Sequence, residues 1–294
     1  MPTGTPACDL CGQDAVFLDR VRGCHLCGDH LLRDVEGRVR RTLWDYHLIR
    51  PGERIAIALS GGKDSTALLH LLRKILPLSG DVTLSAITVD EGIAGYRDAT
   101  LEVAREMAAR LGVEHRVVSF GESLDAMVAA GGDHPCGLCG IHRRRALRRA
   151  AMEMGATAVA TGHNLNDEAQ TVVMNCLRGD VRGFTRPQPG GPREGDLRRI
   201  KPLFRIPEKE VALYGMIAGI FHDLPECPYA GTALRSEVRR MVDRLEFLNP
   251  GTLGRIVRGQ EEVAALCGGV SGEQAPPARG PGKSGNPDGP SRVT

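Results

Sequence analysis

From Arg54 onward, short apolar runs alternate with helical patterns, and this order limits the possible folds more than any other feature of the chain. Ile55-Ala56-Ile57-Ala58-Leu59 reads as a buried strand, followed by a glycine turn and a helix through Leu76. Residues 82–89 form the next expected strand, and 97–111 a helix closed by Gly112 as C-cap. Arg116-Val117-Val118 reads as a third strand, 140–154 as an arginine-rich helix and 156–160 as a fourth strand. Strands alternating with helices predict an α/β fold, a parallel sheet covered on both faces. Such sheets bind ligands at the carboxyl ends of their strands.

The flanks are different. Residues 1–32 are cysteine-rich and short of core residues, and are expected to form a metal-binding module. A helix over 31–48 places Leu32, Val35, Val39, Leu43 and Tyr46 on one face, with Arg38, Arg40 and Arg41 on the other. The α/β domain is assigned to 33–230. Within it, 179–200 reads as a Gly/Pro/Arg-rich loop and Pro207 opens a helix over 207–219. Helices at 233–248 and 252–267 make up a C-terminal part, 231–267. Twelve of the 27 residues from 268 to 294 are Gly or Pro, the composition of a disordered tail.

Nine cysteines stand at 8, 11, 24, 27, 136, 139, 176, 227 and 267. The first six form C-x-x-C pairs. The first six residues have no basic start and no apolar stretch, so no secretory signal is expected and the compartment is expected to be the cytoplasm. No apolar run approaches about 18 residues, so no membrane span is expected. In a reducing compartment such pairs read as metal ligands or redox thiols. By spacing alone, Cys8, Cys11, Cys24 and Cys27 make a zinc ribbon. A second register uses Cys27-x-x-His30. Cys176 lies on a predicted amphipathic helix and is expected to be a buried structural thiol. Cys267 has no nearby partner.

Ser60-Gly61-Gly62-Lys63-Asp64-Ser65 follows a strand and opens a helix. Glycines admit a close backbone approach to phosphate oxygens, N–H groups at the helix start face them, and Lys63 adds a cation. The order is not that of a Walker A loop. It resembles the PP-loop of ATP pyrophosphatases, which cleave ATP between the α and β phosphates. A second segment, Thr161-Gly162-His163-Asn164-Leu165-Asn166-Asp167-Glu168-Ala169-Gln170-Thr171, falls at the same sheet edge. It is similar to the T-G-H-N-L-D-D-E-A-Q-T segment of the TtcA/TtuA family of tRNA 2-thiolation enzymes, and departs from it at Asn166. Cys136-Gly137-Leu138-Cys139 and Glu226-Cys227-Pro228-Tyr229-Ala230 resemble two further motifs of that family. The likeness spans roughly residues 8–265 and is greatest to the TtuA and cytosolic-thiouridylase group.

The resemblance implies an ATP-dependent tRNA uridine 2-sulfurtransferase of the PP-loop ATP pyrophosphatase fold. It puts Ser60, Gly61, Gly62, Lys63, Asp64, Ser65 and Gly162 at ATP and Mg²⁺. Asp167 is the candidate magnesium-side or proton-handling carboxylate, with a helix N-cap as its plainer role. Cys136, Cys139 and Cys227 would hold a 4Fe–4S cluster with one iron lacking a protein ligand. Zinc, a persulfide relay or a structural role remain open for the same thiols. Arg143 stands where relatives carry Lys or Arg near the nucleotide. The zinc ligands implied are Cys8, Cys11, Cys27 and His30, with Cys24 as the alternative ligand. Partners implied are tRNA, a ubiquitin-like thiocarboxylate sulfur carrier and a second copy in a homodimer. A net charge of +2 is uninformative about nucleic acid. The arginines at 143, 144, 145, 148, 149, 178 and 182 suit a polyanion better. A cytidine thiolase of the TtcA type and a non-catalytic zinc-ribbon RNA-binding protein are the alternatives. The N-terminal metal module weighs against the first, and the intact phosphate loop against the second.

Overall fold

The computed structural model describes residues 5–76, 81–132, 134–185, 197–230 and 234–268. A hairpin of β1 (Phe17–Asp19) and β2 (Cys24–Leu26) precedes α1 (Gly28–Asp45). Then come β3 (Arg54–Ala58), α2 (Lys63–Ile75), β4 (Thr83–Asp90), α3 (Arg97–Arg110), β5 (Glu114–Ser119), α4 (Leu124–Ala129) and α5 (Pro135–Glu153). The chain continues through β6 (Ala158–Ala160), α6 (Leu165–Arg178), α7 (Val181–Phe184), β7 (Arg198–Ile200), α8 (Glu208–Ile217), α9 (Leu234–Leu248) and α10 (Thr252–Gly268).

Five strands pair in parallel in the order β5-β4-β3-β6-β7. The two-residue period of a strand sorts their side chains. Ile55, Ile57, Ala86, Ala158 and Ala160 face one way, into a core built with Leu68, Leu69 and Leu72 of α2 and Val35 and Val39 of α1. Ala56, Ile87 and Val159 face the other way, against Ala150 and Ala151 of α5. A third cluster joins Leu165 and Ala169 of α6 to Val238 and Val242 of α9 and Leu253 and Val257 of α10. Both sheet faces are thus covered.

Several expectations are corrected. The segment 179–200 contains α7 and β7, with 186–196 outside the described residues. β7 escaped notice because its three residues, Arg-Arg-Ile, offer one buried position, Ile200. The helix expected at 140 starts at Pro135, so the cysteine pair lies inside it and not before it. Proline at the first helical position fixes the start, while Gly137 and Gly140 hide it from a propensity reading. The first 32 residues are less core-poor than expected, since Phe17 and Leu26 join the main core. The expected boundary at 32/33 falls within α1, whose Leu31, Val35 and Val39 are fully buried. The expected tail lies almost wholly outside the described residues. Among those residues, no helix is long and apolar enough to cross a membrane.

Candidate active site

β3 and β6 are neighbours, but β4 continues the sheet on one side and β7 on the other. The connections diverge there and open a crevice at the carboxyl ends of the strands. A cleft of about 470 Å³ occupies it, walled by Ser60, Asp64, Ser65, Gly162, His163 and Asp167, with Glu91 and Arg143 also on its lining. Small-molecule sites span roughly 300–1,000 Å³.

The loop between β3 and α2 is held by its own side chains. Ser60 N–H donates to Ser65 Oγ at 3.1 Å, and the Ser65 hydroxyl lies 2.9 Å from the Gly62 carbonyl. Gly61 has φ +86°, and a Cβ there would stand 2.0 Å from the Thr100 carbonyl oxygen, so no other residue fits. A Cβ on Gly162 would lie 3.0 Å from the Asp64 carbonyl. The second motif therefore rests directly against the first. Buried Arg97 supports the loop from behind, donating to the Ser60 carbonyl at 3.0 Å.

Lys63 Nζ donates to Asp64 Oδ2 at 3.0 Å and to Glu208 Oε1 at 2.7 Å. Burial alone would depress this ammonium, but the two carboxylates raise it above its ordinary range. Burial pushes the Asp64 carboxyl up against the pull of Lys63. Asp167 is likewise pushed up by burial, opposed by the Asn164 N–H and by Arg235. The plainer role foreseen for Asp167 shifts by three residues. Asn164 is the N-cap of α6, and Asp167 completes a capping box by accepting from the Asn164 N–H. Burial, with Lys201, Arg199, Arg235 and Arg143 around it, drives His163 down to about 3, so the ring is neutral. Its Nδ1 lies 2.9 Å from Thr161 Oγ1.

Cys136 and Cys139 sit in the first two turns of α5, and Cys227 on the segment before Tyr229. The Cys136 thiol donates to the Tyr229 carbonyl at 3.2 Å, and Tyr229 is tied to Asp125 at 2.6 Å. Burial raises the Cys139 thiol; Arg143 lowers it, while Glu91, Cys227 and Cys136 raise it further. The three thiols therefore share one electrostatic neighbourhood. Arg143 Nη1 stands 3.8 Å from Glu91, whose other oxygen is 2.8 Å from Arg97 Nε. Of the α5 arginines, Arg143, Arg144 and Arg148 line the cleft, whereas Arg145 and Arg149 are exposed away from it. Arg178 and Arg182 are exposed. Cys176 is exposed, contrary to expectation: burial along α6 ends at Met174, and Cys176, Leu177 and Arg178 are all open. Cys267 is exposed on α10.

In the N-terminal segment the ligand atoms of Cys8, Cys11, Cys27 and His30 all lie within 4.8 Å of one another. His30 Nδ1 is 3.2 Å from Cys27 Sγ and 3.5 Å from Cys8 Sγ. Burial raises the Cys8 thiol, but backbone hydrogen bonds from Cys27, Leu10 and Cys11 bring it down to about 6. Cys27 is the N-cap of α1, which puts His30 in the first turn. Cys24 lies two residues before Leu26 on β2, shares its face, and packs on the main core away from the four.

Glu208, Arg97, Glu91 and the neutral His163 were not singled out from the sequence. Glu208 follows Pro207 and Glu91 follows the aspartate that ends β4, so each stood at an element boundary. Nothing in chain order ties either to Lys63 or Arg143.

Comparison with known proteins bears on this arrangement. Residues 32–224 match the PP-loop domain. The chain is similar to the tRNA 2-thiolation protein NcsA of Haloferax volcanii, 37% identical, over 88% of this chain and 87% of that one. It is 39% identical to the cytoplasmic tRNA 2-thiolation protein 1 of Mus musculus, over 88% of this chain and 64% of that one. A solved structure, the U34-tRNA thiolase NcsA of Methanococcus maripaludis with its 4Fe–4S cluster, superposes with a TM-score of 0.79 at 34% identity. That match covers 88% of this chain and 87% of the other.

Proposed function

The chain belongs to the PP-loop family, in the group of tRNA 2-thiolation proteins, and on that premise we propose that it is an ATP-dependent tRNA uridine 2-sulfurtransferase. The supporting observation is that Glu91 and Arg143 line the phosphate-loop cleft and also act on the Cys139 thiol. Nucleotide and sulfur chemistry then share one wall.

In this reading the uridine C2 oxygen attacks the α-phosphorus of ATP. The bond to the bridging oxygen breaks and pyrophosphate leaves. Sulfide then adds at C2, and the C2–O bond breaks to release AMP. The loop N–H groups and Lys63 take the charge of the departing pyrophosphate. Asp64 and Asp167 offer the hard oxygen donors that Mg²⁺ takes. Where Asp64 alone holds the metal, Asp167, pushed up by burial, is suited instead to hold a proton near the reacting oxygen. Arg143, on the cleft wall beside Glu91 and Cys139, would supply a cation to the bound nucleotide. The convergence of three thiols from two segments fits a cluster: Cys136, Cys139 and Cys227 would hold 4Fe–4S, which leaves one iron without a protein thiolate and supplies a place for sulfide.

Three sulfurs and one nitrogen within 4.8 Å fit tetrahedral zinc. The ion would staple the segment carrying Cys8 and Cys11 to the start of α1, where Cys27 and His30 stand. Cys24→Ser is therefore expected to keep stoichiometric zinc, while Cys27→Ser and His30→Ala lose it, as read by metal analysis of purified protein. Zinc lost from Cys24→Ser alone would restore the four-cysteine ribbon. A ubiquitin-like thiocarboxylate carrier as sulfur donor, a homodimeric assembly and a cytoplasmic location are carried over from the resemblance.

The test is anaerobic incubation with ATP, sulfide and bulk tRNA. Pyrophosphate release and 2-thiouridine in the digested nucleosides are expected together. Appearance of 2-thiocytidine instead would move the chain to the cytidine branch. Neither product would leave an RNA-binding protein.

A further inference from the structure

Asn166 is the position at which the second motif departs from its pattern, and its side chain lies in a closed ring of contacts. The Glu208 N–H donates to Asn166 Oδ1 at 3.0 Å, and Asn166 Nδ2 donates to Asp243 Oδ1 at 3.0 Å. Asp243 Oδ2 faces Arg239 Nε at 3.7 Å. Arg239 Nη2 donates to both Glu208 oxygens at 3.0 Å, which closes the ring. Glu208 is thereby held at its backbone by α6 and at its carboxylate by α9. One oxygen of that carboxylate accepts from Lys63 at 2.7 Å.

The amide at 166 suits this ring. It accepts from a backbone N–H with one atom and donates to a carboxylate with the other. An aspartate would still accept from Glu208 but would meet Asp243 charge against charge. Arg239 and Asp243 are about half exposed, so each ionic link is individually weak. What the ring supplies is geometry: it fixes the partner that anchors Lys63.

We propose that Asn166 and Glu208 are positioning residues for Lys63, setting where its ammonium stands at the phosphate loop. This rests on the reading of the cleft as an ATP site. The pair Asn166 and Asp243 then forms a unit in which the carboxylate and the amide can trade places.

The test is binding of Mg·ATP to the full chain by equilibrium dialysis, carried to millimolar nucleotide, with thermal melts of each variant. Asn166→Asp is expected to weaken ATP binding about fivefold. Adding Asp243→Asn puts a donor opposite the new carboxylate and should return affinity to within about twofold of wild type. In a Lys63→Ala background, Asn166→Asp should have no further effect, because the ring acts only through that ammonium. A merely structural contact would weaken binding in both backgrounds alike. Wild-type affinity in Asn166→Asp, or the full loss persisting without Lys63, overturns the positioning role and leaves the ATP site standing. Absence of ATP binding in the wild-type chain removes both.

Discussion

Lys63→Ala should lose tRNA-dependent pyrophosphate release by about 100-fold or more, the cost of deleting a donor aimed at developing charge. The side chain is 32% exposed and contributes to no apolar cluster, so the fold should hold. The loss has two sources. The ammonium no longer meets the phosphates, and Asp64 and Glu208, which it now neutralises, are left as two anions beside an anionic substrate. Lys63→Met, equally uncharged and closer in length, should be no better. A pyrophosphate assay together with a thermal melt measures both halves. Wild-type turnover in Lys63→Ala would remove the phosphate loop from the chemistry.

Replacing any one of Cys136, Cys139 or Cys227 by serine should abolish thiolation and leave ATP binding intact. Two of the three thiols enter on the first two turns of α5 and the third on a segment pinned through Tyr229 to Asp125. The loop at 60–65 is built separately, from β3 and α2, and does not depend on them. Anaerobically purified wild type should be brown, should contain iron and should bleach in air, since a cluster with three protein thiolates presents an iron that oxygen can reach. Cys176→Ser and Cys267→Ser should keep colour and activity, because both thiols are exposed and outside the group. Iron-free protein that thiolates tRNA with sulfide would replace the cluster by a persulfide relay.

The parts legible in the sequence were those with local causes. Buried strands announced themselves as apolar runs, and the glycine turn after β3 and the motif after β6 fall at the same sheet edge. The edge strand β5, with Val117 half exposed, showed only its three central residues. Helix α4 and strand β7 are too short to display a period. What stayed hidden were side chains that matter through distant partners. Glu208 lies 145 residues from Lys63, and its role comes from the way α8 docks beside α2. Glu91 becomes a bridge between loop and thiols only when α5 crosses the sheet. Cys176 misled because helical phase predicts a buried face but not where the covering elements stop. Between Cys24 and His30, spacing alone pointed to Cys24, whereas the strand phase of β2 turns Cys24 onto the main core and leaves His30 with the other three ligands.

The pairing of β3 with β6, Ile55 opposite Ala158, has a consequence during synthesis. About 100 residues separate the partners, so at roughly 5–20 residues per second a ribosome needs about 5–20 s to deliver the second strand after the first. Once β4 has followed, β3 has it on one side and, until β6 arrives, an open row of amides and carbonyls on the other. Such an edge is a template for association with any neighbouring nascent chain. The nucleotide crevice does not exist until β6 arrives, so ATP cannot protect the young chain. Yield in overproduction should therefore respond to translation speed and chaperone supply more than to nucleotide level.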